Sequence, residues 1–146
     1  MTRSHEERPT QRHDTGHDGS AAAPRDRAYE ESYYGQGGAA ERWARAQLFF
    51  EAKDFTAAAR ILRGLVDEEP GPVAPRLLLA RAYYHSAQLQ HAETELRAVL
   101  ERDPVEDYAH LMLGRTLERQ GRAAEAAPQL RIAAALGVDT DPPPAR

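Results

Sequence analysis

Laid over itself at a step of 34, the stretch from residue 39 to residue 140 brings like residues into columns, and nothing else in this 146-residue chain restricts its fold so tightly. Ala46, Ala80 and Gly114 share one column, Phe49, Tyr83 and Leu117 a second, Ala58, Ala92 and Ala126 a third, and Leu62, Leu96 and Leu130 a fourth. Pro70 and Pro104 also stand 34 apart. Within each unit apolar residues recur at steps of three and four, and a polar interruption divides the unit near its middle: Lys53 and Asp54, then Gln88 and Gln90, then Gln120 to Arg122. Each unit therefore reads as a helix, a tight turn and a second helix. The spacing predicts helices over 39–52 and 56–69, 73–86 and 90–102, and 107–120 and 123–136. Small residues mark where two helix axes approach closely, and large ones fill the space beside them. Pro70 and Pro104 fall just past a helix end, where a missing amide proton is harmless and the next unit can start at a new angle. Pro128 falls in the early turns of the last helix, where a missing donor is partly tolerated.

The flanks have another character. From Met1 to Arg42 there is no Leu, Ile, Val, Phe or Trp. Ordering a backbone residue costs roughly 1–2 kcal/mol, and such a stretch has little apolar surface with which to offset that, so residues 1–28 are expected to be disordered. Residues 1–38 read as a tail with a Tyr- and Gly-rich joint, in which Tyr29 to Tyr34 are the residues able to fold back. At the other end Pro142, Pro143 and Pro144 cannot continue a helix, so 141–146 reads as a Pro-rich end beyond the repeats at 39–72, 73–106 and 107–140.

Composition narrows the function. The chain has no Cys, which removes disulfide frameworks, Cys-based zinc sites and thiol nucleophiles and fits a reducing cytoplasm. Its formal charge of −4 gives no basic excess for neutralising phosphates, so no nucleic-acid partner is expected. No apolar run is long enough to span a bilayer, so no membrane partner is expected either. The abundance of Ala and of Arg over Lys carries no mechanism.

With its columns in place, the chain resembles the tetratricopeptide repeat family, whose 34-residue unit carries a Trp, Leu, Gly, Tyr, Ala, Phe, Pro pattern. Leu79, Ala80, Tyr83, Ala92, Leu96 and Pro104 occupy the family's Leu to Pro positions in the second unit, and Leu113, Gly114, Ala126 and Leu130 do so in the third. The first unit departs more, with Arg45 in place of Leu. The family's Trp position is Arg42, Arg76 and His110, which predicts an unusually polar outer edge for each first helix. The resemblance implies an all-α fold, a right-handed superhelical stack of three helix-turn-helix repeats (an α-solenoid) whose first helices line a concave surface. A clamp that some members use for chaperone carboxy-termini requires Lys, Asn and Arg where this chain has Trp43, Gln47, Leu78, Tyr108 and Met112. That clamp is absent.

Sites of chemistry are scarce. Gly35, Gly37 and Ala40 fit a dinucleotide fingerprint, but no strand is predicted on either side, and a flexible joint is the better reading. His5, His13 and His17 with Asp14 and Asp18 lie in the tail, where nothing would hold a metal's geometry. His91 and Glu95 read as a solvent-facing pair, and Asp67, Glu68 and Glu69 as a solvated helix end carrying charge of the unfavourable sign. No Ser stands in a nucleophile elbow. No catalytic residue, cofactor or metal is expected.

What stands out is a second stripe on each first helix. Trp43, Gln47 and Phe50 recur at steps of four and three, repeated by Leu77, Arg81 and Tyr84 and then by Leu111, Arg115 and Glu118. Given the implied fold, a bound segment would meet Trp43, Phe50, Leu77, Tyr84, Tyr108 and Leu111 as apolar contacts, with Arg81, His85, Arg115 and Arg119 supplying positive charge. Trp, Tyr and Arg dominate binding hot spots. The leading expectation is a non-enzymatic interaction module that binds a peptide or helix of another protein, acidic in character. Alternatively Trp43 and Phe50 are buried, either by a one-residue shift of register or by the Tyr29–Tyr34 segment folding back. A second reading of the whole is an assembly subunit that dimerises through the last repeat, where Leu130, Ile132 and Leu136 lack a covering helix.

Overall fold

The computed structural model describes residues 33–141. The expectations for residues 1–28, for Tyr29 and for the Pro-rich end beyond Asp141 lie outside the described residues. Among the described residues a helical stretch at 33–35 is followed by six full helices: α1 (Ala39–Glu51), α2 (Phe55–Glu68), α3 (Val73–His85), α4 (Leu89–Arg102), α5 (Asp107–Arg119) and α6 (Ala123–Ala135). No strand occurs among the described residues. Each helix packs on its neighbours in sequence, and α3 also reaches α5, so the three hairpins stack as a solenoid held by adjacent contacts alone.

The columns form the core. Ala46, Ala58, Ala80, Ala92, Leu62 and Leu96 are fully buried, as are Leu117 and Ala126 in the third hairpin. Gly114 shows why its column is small, since a Cβ there would lie 2.5 Å from the Leu130 side chain. The first hairpin keeps its register although Arg45 replaces an apolar residue. Arg45 donates instead to the carbonyls of Tyr33 and Gln36, at 3.1 and 3.0 Å, and ties the preceding segment to α1.

The turn between the helices of each hairpin is built identically three times. Lys53, Ala87 and Gly121, spaced 34 apart, take the left-handed conformation with φ of 62°, 60° and 76°. The following amides, of Asp54, Gln88 and Arg122, reach back to the carbonyls of Phe49, Tyr83 and Leu117 at 2.9, 2.8 and 2.9 Å. This closure satisfies carbonyls that the helix end would otherwise leave bare. Only the third copy uses the residue that adopts such a backbone without strain.

The polar column at the family's Trp position is not an outer edge but a set of largely buried ties. Arg76 donates to the Pro70 carbonyl at 3.3 Å and to Glu95 at 2.9 Å, and one unit later His110 meets the Pro104 carbonyl at 2.7 Å and Gln129 at 2.8 Å. Each partner has moved by 34 along with the residue it serves. In the first hairpin the residue equivalent to Glu95 is Ile61, and Arg42 turns instead to Glu68 in a two-pronged ion pair. Glu95 is thus engaged rather than solvated, and Glu68, although exposed as expected, also pairs with its cation, because a buried cation has to be matched.

Candidate partner-binding face

The second stripe of α1, α3 and α5 forms one face, and contacts between successive repeats organise it. At its centre the Arg81 guanidinium lies over the Phe50 ring at 4.8 Å and the Tyr108 ring at 5.4 Å, so one cation of the middle repeat is flanked by aromatic rings from both neighbours. Its Nε is buried without a hydrogen-bond partner, and among the described residues no carboxylate pairs with it. Gln47, Phe50, Glu51, Leu78 and Arg81 line a hollow of about 260 Å³ here, with Glu51 the one carboxylate in its wall.

Beside it is an aromatic cluster at the helix ends. His85 stacks on Phe55, with ring centres 4.7 Å apart, and meets Phe50 and Tyr84 edge-on. Burial and then the positive charges of Arg81 and Arg119 hold its pKa below the ordinary value. Arg119 covers the Tyr84 ring at 4.5 Å and donates to the Tyr84 carbonyl at 2.8 Å. Arg115 is held by Glu118 at 3.0 Å and by the Thr140 carbonyl. Of the three arginines assigned to this face, Arg81 alone keeps its hydrogen-bonding edge unoccupied. Leu77, Tyr84, Tyr108 and Leu111 are partly buried and supply the apolar surface between them.

Trp43 is placed apart from this cluster. It packs against the first core cluster and lines a separate hollow of about 490 Å³ with Leu65, Glu68, Pro72 and Pro75, between the start of α1, the end of α2 and the start of α3. Trp43 and Phe50 are both partly buried against the first core cluster and keep some exposure. Tyr33 and Tyr34 do fold onto the domain, but against Phe49, Arg45 and Arg60.

A further tie escaped the sequence. Glu93 is buried on α4 and accepts from Arg97 of its own helix and from Arg122 at the start of α6. Burial alone would raise its pKa, but the hydrogen bonds from Arg122 and Arg97 outweigh it and hold the carboxyl below its ordinary value. The available signal was the four-residue step from Glu93 to Arg97.

Among the described residues no three His, Asp or Glu side chains gather as metal ligands, and no helix is long and apolar enough to cross a membrane. No strand flanks Gly35, Gly37 and Ala40 there.

A model of the tetratricopeptide repeat family matches residues 49–113. Among solved structures, a point mutant of MamA is 19% identical with a TM-score of 0.66, over 79% of this chain and 85% of that one. MamA 41-end from Desulfovibrio magneticus RS-1 is 22% identical with a TM-score of 0.61, and the CopN-Scc3 complex 17% identical with a TM-score of 0.62. Each of these two is matched over 64% of this chain, which spans just over half of theirs, at 53% and 55%. At such identities the likeness shows the fold alone. No curated protein matches the sequence. The family match covers the end of the first hairpin, all of the second and the start of the third, and the solved structures share the fold over most of the chain, so residues 49–113 are tetratricopeptide repeat sequence within an array of that fold.

Proposed function

We propose that this chain is a non-enzymatic protein-interaction module whose first helices form a groove for an acidic segment of another protein. The observation that carries this reading is Arg81, a guanidinium fixed between two aromatic rings with its hydrogen-bonding edge unoccupied. A carboxylate can meet that edge with two parallel bonds, and the rings hold the guanidinium in place before binding, which lowers the entropy lost on association. Phe50, Tyr84 and Tyr108 offer apolar area around it, with Leu77 and Leu111 flanking. Gln47 and His85 stand at its margins, and Arg115 and Arg119 add positive potential without an open edge.

The test selects peptides from a displayed random 12-residue library on the full chain. The wild type enriches Asp and Glu in a salt-dependent manner, and Arg81→Glu loses that enrichment while circular dichroism shows an unchanged helical melt. An Arg81→Glu protein that selects the same acidic peptides removes Arg81 as the anchor.

A second reading has its own observation. Ile132 and Leu136 on the last hairpin are 40% and 39% exposed, which suits an assembly subunit that covers them with a second copy. Sedimentation that shows a monomer at all concentrations eliminates it.

A further inference from the structure

The Trp43 hollow differs in polarity from the Arg81 face, although both lie along α1. Its walls are the Trp43 indole with Leu65, Pro72 and Pro75, and its rim is the carboxyl end of α2, where Glu68 and Glu69 line the hollow and Asp67 precedes them in sequence. Arg42 neutralises Glu68. Asp67 and Glu69 have no basic partner among the described residues, and the last turn of α2 contains no basic residue. The partial negative charge of a helix end adds to theirs, so this rim is a place where a cation lowers the energy. A hollow of about 490 Å³ takes a large apolar side chain together with part of its neighbour.

We infer that the Trp43 hollow is a second recognition site of opposite polarity to Arg81, taking a large apolar side chain and an adjoining Lys or Arg from the same partner segment whose acidic residue meets Arg81. This deepens the reading of the groove given above and rests on it. Charge complementarity sets the order of the segment. Trp43 and Phe50 are seven residues apart on one helix, about 10 Å of rise, so an extended partner places its apolar–basic pair about three to four residues from its acidic residue. A partner of single-sign charge would meet repulsion at one site or the other.

The chain holds one Trp, so Trp43 fluorescence reports on this hollow directly. In the 12-residue library the full chain enriches peptides in which a large apolar residue next to Lys or Arg stands three or four positions from Asp or Glu. A synthetic peptide of that pattern shifts Trp43 emission on titration. Replacing its Lys or Arg by Glu weakens it about three- to tenfold, as does Glu69→Lys in the protein. Glu69→Lys places a cation at a helix carboxyl end, which does not threaten folding. Trp43→Ala loses the apolar–basic preference and keeps the acidic one, whereas Arg81→Glu does the reverse, so the two sites fail separately. Acidic enrichment without the apolar–basic pair overturns the second site and leaves the groove standing. If Arg25→Glu, Arg27→Glu and Tyr29→Ala together shift Trp43 emission without peptide, the hollow is taken by the chain's own segment, and this also overturns the proposal.

Discussion

The two ends of the array solve the same problem differently. A solenoid hairpin buries its apolar faces only against neighbours, and the first and last hairpins each have a side that no other hairpin among the described residues covers. At the start, Tyr34 lies against Phe49 with ring centres 6.1 Å apart, Arg60 covers Tyr34, and Arg45 holds the Tyr33 and Gln36 carbonyls. At the finish, among the described residues, the short segment after Gly137 is held through Thr140 by Arg115, and Ile132 and Leu136 remain exposed. The teaching is that sequence-equivalent positions in a repeat protein are not energetically equivalent. Leu96 is completely buried between two neighbours, while Leu130 in the same column is only partly buried.

Truncating that column is the largest test of the contrast. Leu96→Ala is expected to lower unfolding free energy by about 2–5 kcal/mol and Leu130→Ala by distinctly less, read from denaturant melts of the full chain. Equal losses would mean that the last hairpin is as well covered as the second. Next in size is the start of the array. Tyr34→Ala removes an aromatic pair and a cation–π contact and should cost about 1–2 kcal/mol, with amide exchange rising first in α1. Exchange rising first in α6 instead would remove the Tyr segment from its role as a cover. Ala87→Gly should stabilise by about 1 kcal/mol, because it relieves a left-handed Ala in the second turn, and Gly121→Ala should destabilise by a similar amount. If neither changes the melt, the left-handed turns are not where strain resides.

Acid should separate the two junctions between repeats. His85, at the first junction, has a folded pKa depressed below 6.5, so its contribution is complete above that pH and is lost as pH falls through the depressed value. Glu93, at the second, is depressed below 4.5, so its contribution persists to lower pH and is lost only beneath that. Hydrogen exchange followed down the pH scale should therefore show the α1–α3 region loosening before α4–α6. The reverse order would contradict the packing of the His85 ring against Phe50, Phe55 and Tyr84.

The sequence by itself determined the number of hairpins, the helix spans to within about a residue and the four core columns, because periodicity at 34, 3.6 and the turn is written in side-chain size and polarity. The left-handed residues at 53 and 87 were not legible, since Lys and Ala carry no local signal for that backbone and only Gly121, in phase with them, does. Nor were the ties of Arg42, Arg76 and His110. A polar residue at an apolar position looks like an exposed edge until its partner is known, and those partners sit 26 and 19 residues away on another helix. The stripe was legible as a stripe, yet only tertiary structure separated Trp43 from Phe50, closed the edges of Arg115 and Arg119 and left that of Arg81 open. Helix periodicity says which face a side chain occupies. What meets it there depends on neighbouring repeats, and that is settled by packing across distances no local pattern encodes.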